Sequence, residues 1–213
     1  MKCNKEAMLL YAVTDRYWTG KQSLMEQVEC ALKGGATCIQ LREKDLDPAK
    51  FLEEAVQMKK LCHQYHVPFI IDDNVSIALQ CEADGIHVGQ SDMKAEEVRK
   101  RVGEQMILGV SAQTVEQAEE AVRAGADYLG VGAVFSTTTK LDADHVSYAT
   151  LKQICEAVDI PVVAIGGISK DNILQLKGSG VDGVALVSAI FSAEDIEQEC
   201  RTLAELSTQM VNG

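Results

Sequence analysis

The sequence predicts an α/β protein folded as a single (βα)8 TIM barrel over residues 1–213. Three observations carry this prediction: eight short apolar segments, longer amphipathic segments between them, and a local pattern that recurs before every second apolar segment. The length lies at the short end of the range of about 200 to over 400 residues typical of such barrels. A doubly wound open sheet is the alternative, weakened because no GxGxxG pattern follows the first apolar segment.

The eight apolar segments are near-continuous rather than alternating, which is typical of parallel strands covered by helices. They occupy residues 9–15, 38–43, 69–72, 85–89, 106–112, 128–134, 162–167 and 183–189. We therefore expect eight strands, buried on both faces, in one parallel sheet.

Helical spacing of apolar residues separates these strands. It is clearest in "SLMEQVECALKGG", "PAKFLEEAVQMKKLCHQY" and "TVEQAEEAVRAGA", where apolar residues recur at i, i+3 and i+4. Helix start signals stand at Pro48, at Thr114 with Glu116, and at Ser169 with Asp171.

A weak internal repeat supports the count of strands. The segments "KGGATCIQL", "QCEADGIHV", "RAGADYLGV" and "GSGVDGVAL" each close a helix and open the second, fourth, sixth or eighth strand. The repeat therefore recurs every two βα units, as expected of a barrel assembled from (βα)2 pieces.

Composition restricts the class of function. Apolar residues make up 46% of the chain and there are only 3 prolines, which argues against disorder. The 32 acidic and 20 basic residues give a formal charge of -12, so nucleic acid binding is disfavoured. An anionic small substrate would need a local cluster of Lys and Arg, which makes any such cluster informative.

The compartment is predicted to be the cytoplasm. The seven cysteines are odd in number and form no CxxC pair, so they are interpreted as reduced thiols. The amino terminus lacks the apolar core of a signal peptide, and no apolar run approaches the roughly 20 residues of a membrane span. His63 and His66 have no acidic or cysteine partner at ligand spacing, so zinc is disfavoured there.

Active sites of TIM barrels lie where the strands end, and the second strand ends in polar residues. Gln40, Arg42 and Lys44 share one face at period two, whereas Leu41 and Glu43 share the other. Unpaired charges inside a core are costly, so the polar face is expected to look into the barrel mouth. The alternative is that Arg42 and Lys44 are merely exposed at a strand end.

Carboxylates follow the next two strands. The third ends in Asp72, Asp73 and Asn74, and the fourth continues into Gln90 and Asp92. Helix capping would account for these residues taken alone. Because lysine and arginine side chains share the same rim, a Mg²⁺ site is the better interpretation: Mg²⁺ typically takes one or two carboxylates, water and substrate phosphates.

The stretch "FSTTTKLDADH" (Phe135–His145) follows the sixth strand and offers hydroxyls from Thr137–Thr139 and a cation from Lys140. Small residues follow the last two strands, with Gly166–Gly167 before a predicted helix and Val187–Ser188. Such residues are the usual phosphate-binding site of TIM barrels. The mouth would then bind two phosphate groups with a metal between them, which suits two phosphorylated substrates.

An ordered set of motifs over residues 11–190 resembles the thiamine phosphate synthase (thiamine-phosphate pyrophosphorylase) family. The motifs are "YAVTDR", "QLREK", "IDDNV", "ADGIHVGQSD", "GVSAQT", "GADYLGVGAVFSTTTKLDA", "IPVVAIGGI" and "GVALVSAI". The resemblance implies an enzyme that joins an aminopyrimidine methyl diphosphate to a thiazole phosphate, giving thiamine phosphate and pyrophosphate. It also implies a dissociative mechanism, in which pyrophosphate leaves first and the thiazole nitrogen captures a pyrimidine-stabilised carbocation.

The resemblance also implies roles for individual residues. The pyrimidine diphosphate would be bound by Gln40, Leu41, Arg42, Glu43, Lys44, Asp72, Ser111 and Lys140, and the thiazole phosphate by Thr137, Thr138, Thr139, Gly167, Val187 and Ser188. Asp73 and Asp92 would bind Mg²⁺. Catalysis would rest on Arg42, Lys44, Ser111 and Lys140, chiefly through electrostatic stabilisation of the leaving diphosphate.

Three positions depart from the pattern common in the family. Asp72 stands where many members have Asn, Ser136 where many have Pro, and Leu141 where many have Lys. These departures bear on the geometry of the loop after the sixth strand and on the charge beside the diphosphate.

Three other functions stay open at this point. A related thiazole tautomerase would need neither two carboxylates nor a diphosphate-binding lysine, and a non-catalytic regulatory barrel could lose its metal ligands. A sugar-phosphate isomerase or aldolase barrel is disfavoured because the strand cores contain no lysine for a Schiff base. The sequence leaves open whether the chain forms a homo-oligomer.

Overall fold

Parallel strands close into a barrel in the computed structural model, which describes residues 3–20, 22–136 and 145–213. Each strand pairs with its sequence neighbours, and the first closes against the eighth through pairs such as Tyr11 with Ala185. In these residues the strands are β1 Leu10–Val13, β2 Cys38–Leu41, β3 Phe69–Asp72, β4 Gly85–Val88, β5 Ile107–Ala112, β6 Tyr128–Gly132, β7 Val162–Ile165 and β8 Gly183–Leu186. The closure confirms the TIM barrel and excludes the open sheet.

Helices surround the barrel and connect successive strands. In the described ranges they are α1 Leu24–Lys33, α2 Pro48–Gln64, α3 Val75–Gln80, α4 Ala95–Val102, α5 Val115–Arg123, α6 Tyr148–Ala157, α7 Ser188–Phe191 and α8 Ile196–Val211. Short 3-10 turns lie at Glu6–Met8, Arg16–Trp18 and Ile173–Leu176. None of the helices in this part of the chain combines the length and apolar character needed to cross a bilayer.

Capping residues account for where the long helices begin. Ser23 and Glu26 form a reciprocal capping box at α1, Asp47 accepts from the first amides of α2 beside Pro48, and Thr114 accepts from the third residue of α5. The start signals predicted at Pro48 and Thr114 are therefore confirmed.

The α-helix predicted to start at Ser169 after the seventh strand is wrong, because a 3-10 turn takes its place. Ser169 and Asp171 are followed only by the 3-10 turn Ile173–Leu176, with Asn172 turned back to accept a hydrogen bond from the Ser169 amide. Gly178 and Gly180, both at positive φ, end the segment before a full α-helix can form.

Alternate strand residues divide the core into two layers. Leu10 and Ala12 pack outward against the helices, whereas Tyr11 and Val13 point into the barrel. The inner layer is apolar near the amino-terminal end of the strands, where Met8 of the first 3-10 turn covers the barrel. Towards the carboxyl ends of the strands, inward-facing positions such as Gln40 and Ser111 carry polar side chains.

The internal sequence repeat corresponds to a hydrogen-bonded clamp between pairs of strands. Each clamp consists of two hydrogen bonds between the residue directly before an even-numbered strand and one residue of the preceding strand. The first residue donates its main-chain amide to the carbonyl of the second (2.7 to 3.0 Å). Its side-chain oxygen accepts a hydrogen bond from the main-chain amide of that second residue (2.8 to 3.0 Å). The clamps are Thr37 with Leu10, Asp84 with Phe69, Asp127 with Leu108, and Asp182 with Val162. The repeat therefore marks the start of the second strand in each (βα)2 unit.

Each clamp aspartate also contacts a cationic or titratable side chain. Asp127 lies 2.6 Å from the Arg99 guanidinium, Asp182 lies 2.8 Å from Lys5, and Asp84 lies 2.9 Å from the His63 ring. These side chains connect the clamps to the outer helices and to the amino-terminal segment.

We expect Asp127→Ala to lower the free energy of unfolding by about 2 kcal/mol, because the Leu108 amide would lose its side-chain acceptor and the Arg99 guanidinium its carboxylate partner. Urea denaturation measures this. Glu119→Ala is the control: its carboxylate forms an exposed ion pair with Arg123 at 3.7 Å, so we expect a change within about 0.5 kcal/mol. Equal stabilities for the two variants would contradict the clamp.

Candidate active site

A cavity of about 420 Å³ opens at the carboxyl ends of the strands. Inward-facing residues of the strands form its floor, and the loops that follow them form its rim. The alternation that places Tyr11 and Gln40 inside the barrel continues past the strands, so Arg42 and Lys44 also line the cavity. The position agrees with the usual site of TIM-barrel enzymes.

Strand β2 is shorter than predicted, although its polar face is where the sequence analysis expected it. The strand ends at Leu41, because the Arg42 amide donates to the Thr14 side chain (3.0 Å) instead of continuing the ladder. Gln40, Arg42 and Lys44 nevertheless face the cavity. The two cations therefore belong to the site and are not simply exposed at a strand end.

Leu41 and Glu43 have side chains that point away from this cavity. Leu41 is fully buried in the outer core, and Glu43 receives two hydrogen bonds from Arg16, at 2.6 and 3.2 Å. Arg16 also pairs with Glu54 at 2.6 Å. Arg16 thus joins the turn after β1 to the loop after β2 through Glu43, and to helix α2 through Glu54.

Asp72 lies between the two cations at the end of β3. Its Oδ2 atom is 3.5 Å from Lys44 Nζ and 3.8 Å from Arg42 Nε. Burial raises the pKa of Asp72, and the neighbouring positive charges oppose that rise. Arg42 has a second partner, Asp15, at 3.5 Å.

Helix capping explains Asn74 but neither of the two aspartates predicted to bind metal. Asn74 caps α3 by accepting the Ile77 amide at 3.0 Å, whereas the Asp73 carboxylate contacts Lys44. The Asp92 carboxylate accepts the Gly89 amide at 2.8 Å, and Lys94 occupies the N-cap position of α4. Both aspartates line the cavity.

The chemistry of these side chains fits a hard divalent cation. Burial raises the pKa of Asp92, and the neighbouring Asp73 raises it further through a hydrogen bond and through its negative charge. The two carboxyl groups therefore lie close together. Within the described lining, three carboxylates face two cations. No cluster of three or more His, Cys, Asp or Glu side chains suited to a metal occurs in these ranges. Two carboxylates alone suit Mg²⁺, which completes its shell with water and phosphate oxygens.

The opposite side of the cavity, formed by β7, β8 and the residues after them, is lined by glycines, Ser188 and apolar side chains such as Ile165. Gly167, Val187 and Ser188 all line it, and Gly167 adopts a positive φ of 66°. The Phe135 amide donates to the Gly166 carbonyl at 3.0 Å, so the loop after β6 starts beside this glycine pair. Ser136 is exposed there.

Part of the predicted site falls outside the residues that the structure describes. This applies to Thr137, Thr138, Thr139, Lys140 and Leu141.

The floor of the cavity holds a chain of polar side chains, of which the sequence analysis identified Gln40 and Ser111 but not Tyr11, Tyr128 or His87. Gln40 Nε2 lies 2.8 Å from Tyr11 Oη, which lies 2.7 Å from Tyr128 Oη. His87 connects Tyr128 (3.0 Å from Nδ1) to the Ser111 hydroxyl (2.9 Å from Nε2). The available signal was positional: each of these residues occupies an inward site of a strand that otherwise consists of apolar and small residues.

Comparisons with known proteins agree with this geometry. The thiamine monophosphate synthase family matches residues 10–190. The chain is 51% identical over 197 residues to thiamine-phosphate synthase of Ruminiclostridium cellulolyticum, covering 92% of this chain and 94% of that one. The corresponding protein of Clostridioides difficile is 50% identical over 195 residues, covering 92% and 93%.

A solved structure gives the same result. Thiamine phosphate pyrophosphorylase from Pyrococcus furiosus superposes with a TM-score of 0.90 at 38% identity, covering 97% of this chain and 98% of that one. The extent of these matches, in sequence and in fold, shows that the chain belongs to the thiamine monophosphate synthase family.

Proposed function

We propose that the protein is a transferase that condenses 4-amino-2-methyl-5-(diphosphooxymethyl)pyrimidine with thiazole phosphate, giving thiamine phosphate and pyrophosphate. The observation that carries this proposal is the pairing of Asp73 and Asp92 with Arg42 and Lys44 around one cavity, in a chain whose relatives are named thiamine-phosphate synthases. Both substrates would be small phosphorylated molecules.

The cations of the β2 loop bind the diphosphate in this proposal. Arg42 and Lys44 line the cavity from the same face, so both can reach one anionic group. The neighbouring carboxylates hold Lys44 charged: burial opposes its charge, but the hydrogen bond to Asp73 and the charges of Asp72 and Asp73 raise its pKa overall. A leaving diphosphate develops negative charge, which fixed positive charges stabilise in the transition state.

Asp73 and Asp92 would hold Mg²⁺. When bound there, Mg²⁺ supplies positive charge to the diphosphate oxygens, in addition to that of Arg42 and Lys44. The two carboxylates otherwise add negative charge to a cavity that has to accept a diphosphate. Asp72, which stands between the cations, is placed to orient them and to accept a hydrogen bond from the amino group of the pyrimidine.

The proposed mechanism is dissociative and needs no nucleophile from the protein. Pyrophosphate leaves, and the thiazole nitrogen captures the pyrimidine-stabilised carbocation, so no proton has to be gained or lost. The cysteines fit this scheme: burial raises the pKa of Cys62 and of Cys200 to about 12, which keeps both thiols protonated. The protein's role is to orient two substrates and to stabilise the departing charge.

The thiazole phosphate would lie on the opposite side of the cavity. Gly167, Val187 and Ser188 offer main-chain amides and a hydroxyl there. The family resemblance assigns Thr137–Thr139 to this phosphate and Lys140 to the diphosphate, and these four residues lie outside the described ranges.

Two other functions predict different behaviour. A thiazole tautomerase would convert the thiazole phosphate without releasing pyrophosphate and without metal. A regulatory barrel would bind thiamine precursors without turning them over. The aspartate pair and the two cations at one rim favour the synthase.

A reducing, cytoplasmic compartment is part of the proposal and is supported by the seven free cysteines.

Pyrophosphate release by the purified protein tests the function directly. Both substrates are supplied, first with Mg²⁺ and then with EDTA, and each substrate is also supplied alone. We expect release only when both substrates and Mg²⁺ are present. Turnover of the thiazole phosphate alone would favour the tautomerase, and precursor binding without any turnover would favour the regulatory barrel.

We expect Asp92→Asn to lower the Mg²⁺-dependent rate more than about tenfold, because a neutral amide removes charge from the proposed metal site. The rate is measured over a series of Mg²⁺ concentrations. Asp159→Asn, which makes the same change at an exposed position between α6 and β7, is the control and should retain the wild-type rate. Wild-type turnover of Asp92→Asn at limiting Mg²⁺ would contradict the assignment.

We expect Cys155→Ser to leave turnover intact. Burial raises the pKa of this α6 thiol to about 12, and its side chain does not line the cavity described here. The measurement is the same assay, with circular dichroism to verify folding. A folded but inactive variant would show that the thiol has a chemical role.

A further inference from the structure

The polar chain on the cavity floor crosses the barrel from one side to the other. It runs from Gln40 on β2 through Tyr11 on β1 and Tyr128 on β6 to His87 on β4 and Ser111 on β5. The tyrosine rings are among the largest fully buried side chains of the described residues. We call these five residues the floor chain.

Two glycines, Gly109 on β5 and Gly130 on β6, leave space for the rings of the floor chain that a larger residue would occupy. A Cβ atom on Gly109 would lie 2.1 Å from the Tyr128 ring, and one on Gly130 would lie 3.1 Å from His87 Cε1. Glycine within a strand weakens that strand, so two glycines beside the floor chain mark close approach of the rings. The rings are therefore held by shape as well as by hydrogen bonds.

One polarity of the hydrogen bonds gives an acceptor to the proton of each fully buried tyrosine hydroxyl. Gln40 donates to Tyr11, and burial keeps the pKa of both tyrosines well above the usual value, so each hydroxyl retains a proton to donate. Tyr11 can then donate to Tyr128, and Tyr128 to His87 Nδ1. His87 must in turn carry its proton on Nε2 and donate it to Ser111 Oγ.

The reverse polarity leaves a proton poorly placed. If His87 Nδ1 donated to Tyr128 and Tyr128 to Tyr11, the Tyr11 oxygen would accept two hydrogen bonds, one of them from Gln40. Its own proton would then face the Cys38 thiol, its neighbour across β1 and β2 and a weak acceptor. An unsatisfied hydroxyl in a fully buried position is costly.

We propose that Tyr11, Tyr128 and His87 are positioning residues that hold the Ser111 hydroxyl with its proton directed into the substrate cavity. Ser111 Oγ accepts from His87, so its proton is left for a hydrogen-bond acceptor in the cavity, which Ser111 lines. The Ser111 backbone is fixed as well, because its carbonyl accepts from Gln90 Nε2 at 2.6 Å. The acceptor is an atom of the aminopyrimidine diphosphate, and this identification rests on the function proposed above.

The tautomer of His87 tests the floor chain without any turnover. Nitrogen-15 NMR of the histidine side chains, with His87 assigned by a His87→Asn variant, should show the Nε2–H form in the wild-type protein. Tyr128→Phe removes the donor to Nδ1 and should convert this signal to a mixture of tautomers. An Nδ1–H form in the wild type, or an unchanged signal in Tyr128→Phe, would overturn the proposal.

Kinetics test whether the chain acts through Ser111. We expect Ser111→Ala to raise the KM for the aminopyrimidine diphosphate about tenfold, the effect of losing one hydrogen bond, with the KM for the thiazole phosphate unchanged. Tyr128→Phe should raise the same KM by a smaller factor, because the mixture of His87 tautomers retains part of the competent form. The double variant should be no worse than Ser111→Ala alone. If the KM increases of the two single variants multiply in the double variant, Tyr128 does not act through Ser111, and the proposal is overturned.

Two further variants separate positioning from folding. Gly130→Ala keeps every hydrogen-bonding group and adds a methyl group 3.1 Å from the His87 ring, at a position that also lines the cavity. It should raise the same KM, shift the His87 tautomer signal and leave the thiazole phosphate KM unchanged; an unchanged pyrimidine KM would count against the proposal. Tyr65→Phe, whose hydroxyl donates to Glu29 at 3.2 Å on the outer helices, should match the wild type. If the wild-type protein releases no pyrophosphate, the proposed function fails. The His87 tautomer measurement then still tests the polarity of the hydrogen bonds in the floor chain, because it needs no turnover.

Discussion

The structure depends on the closure of the barrel, in which β1 pairs with β8 and every strand gains two neighbours. Closure directs every second residue of each strand at one common axis. Side chains far apart in sequence, such as Tyr11 and Tyr128, meet there within hydrogen-bonding distance. Because all strands are parallel, their carboxyl ends share one rim, and the polar residues that follow them converge on one cavity.

The two ends of the barrel have different tasks. At the amino-terminal end, the four side-chain clamps join each even-numbered strand to its predecessor, and the first 3-10 turn covers the apolar interior. At the carboxyl end, charged residues lie on loops held by the strands. This division agrees with the general behaviour of TIM barrels, where one face carries stability and the other carries chemistry.

The charge of the site contrasts with its function. A chain with a net charge of -12 is proposed to bind two anionic substrates, and the described lining of the cavity itself holds more carboxylates than cations. Lys44 stays charged because Asp72 and Asp73 surround it. A divalent cation on Asp73 and Asp92 would reverse the local balance, so the metal would be as important for admitting the diphosphate as for its departure.

The sequence by itself determined the eight strands, their parallel order, the capped starts of the long helices and the cations and carboxylates of the rim, because these follow from local periodicity and from residue type. It could not reveal the short turn after β7, the end of β2 at Leu41 or the pairing of Glu43 with Arg16, which depend on partners elsewhere in the chain. Only the tertiary structure assembled the floor chain. Its members come from five strands, and a hydrogen bond between β1 and β6 exists only once the barrel has closed.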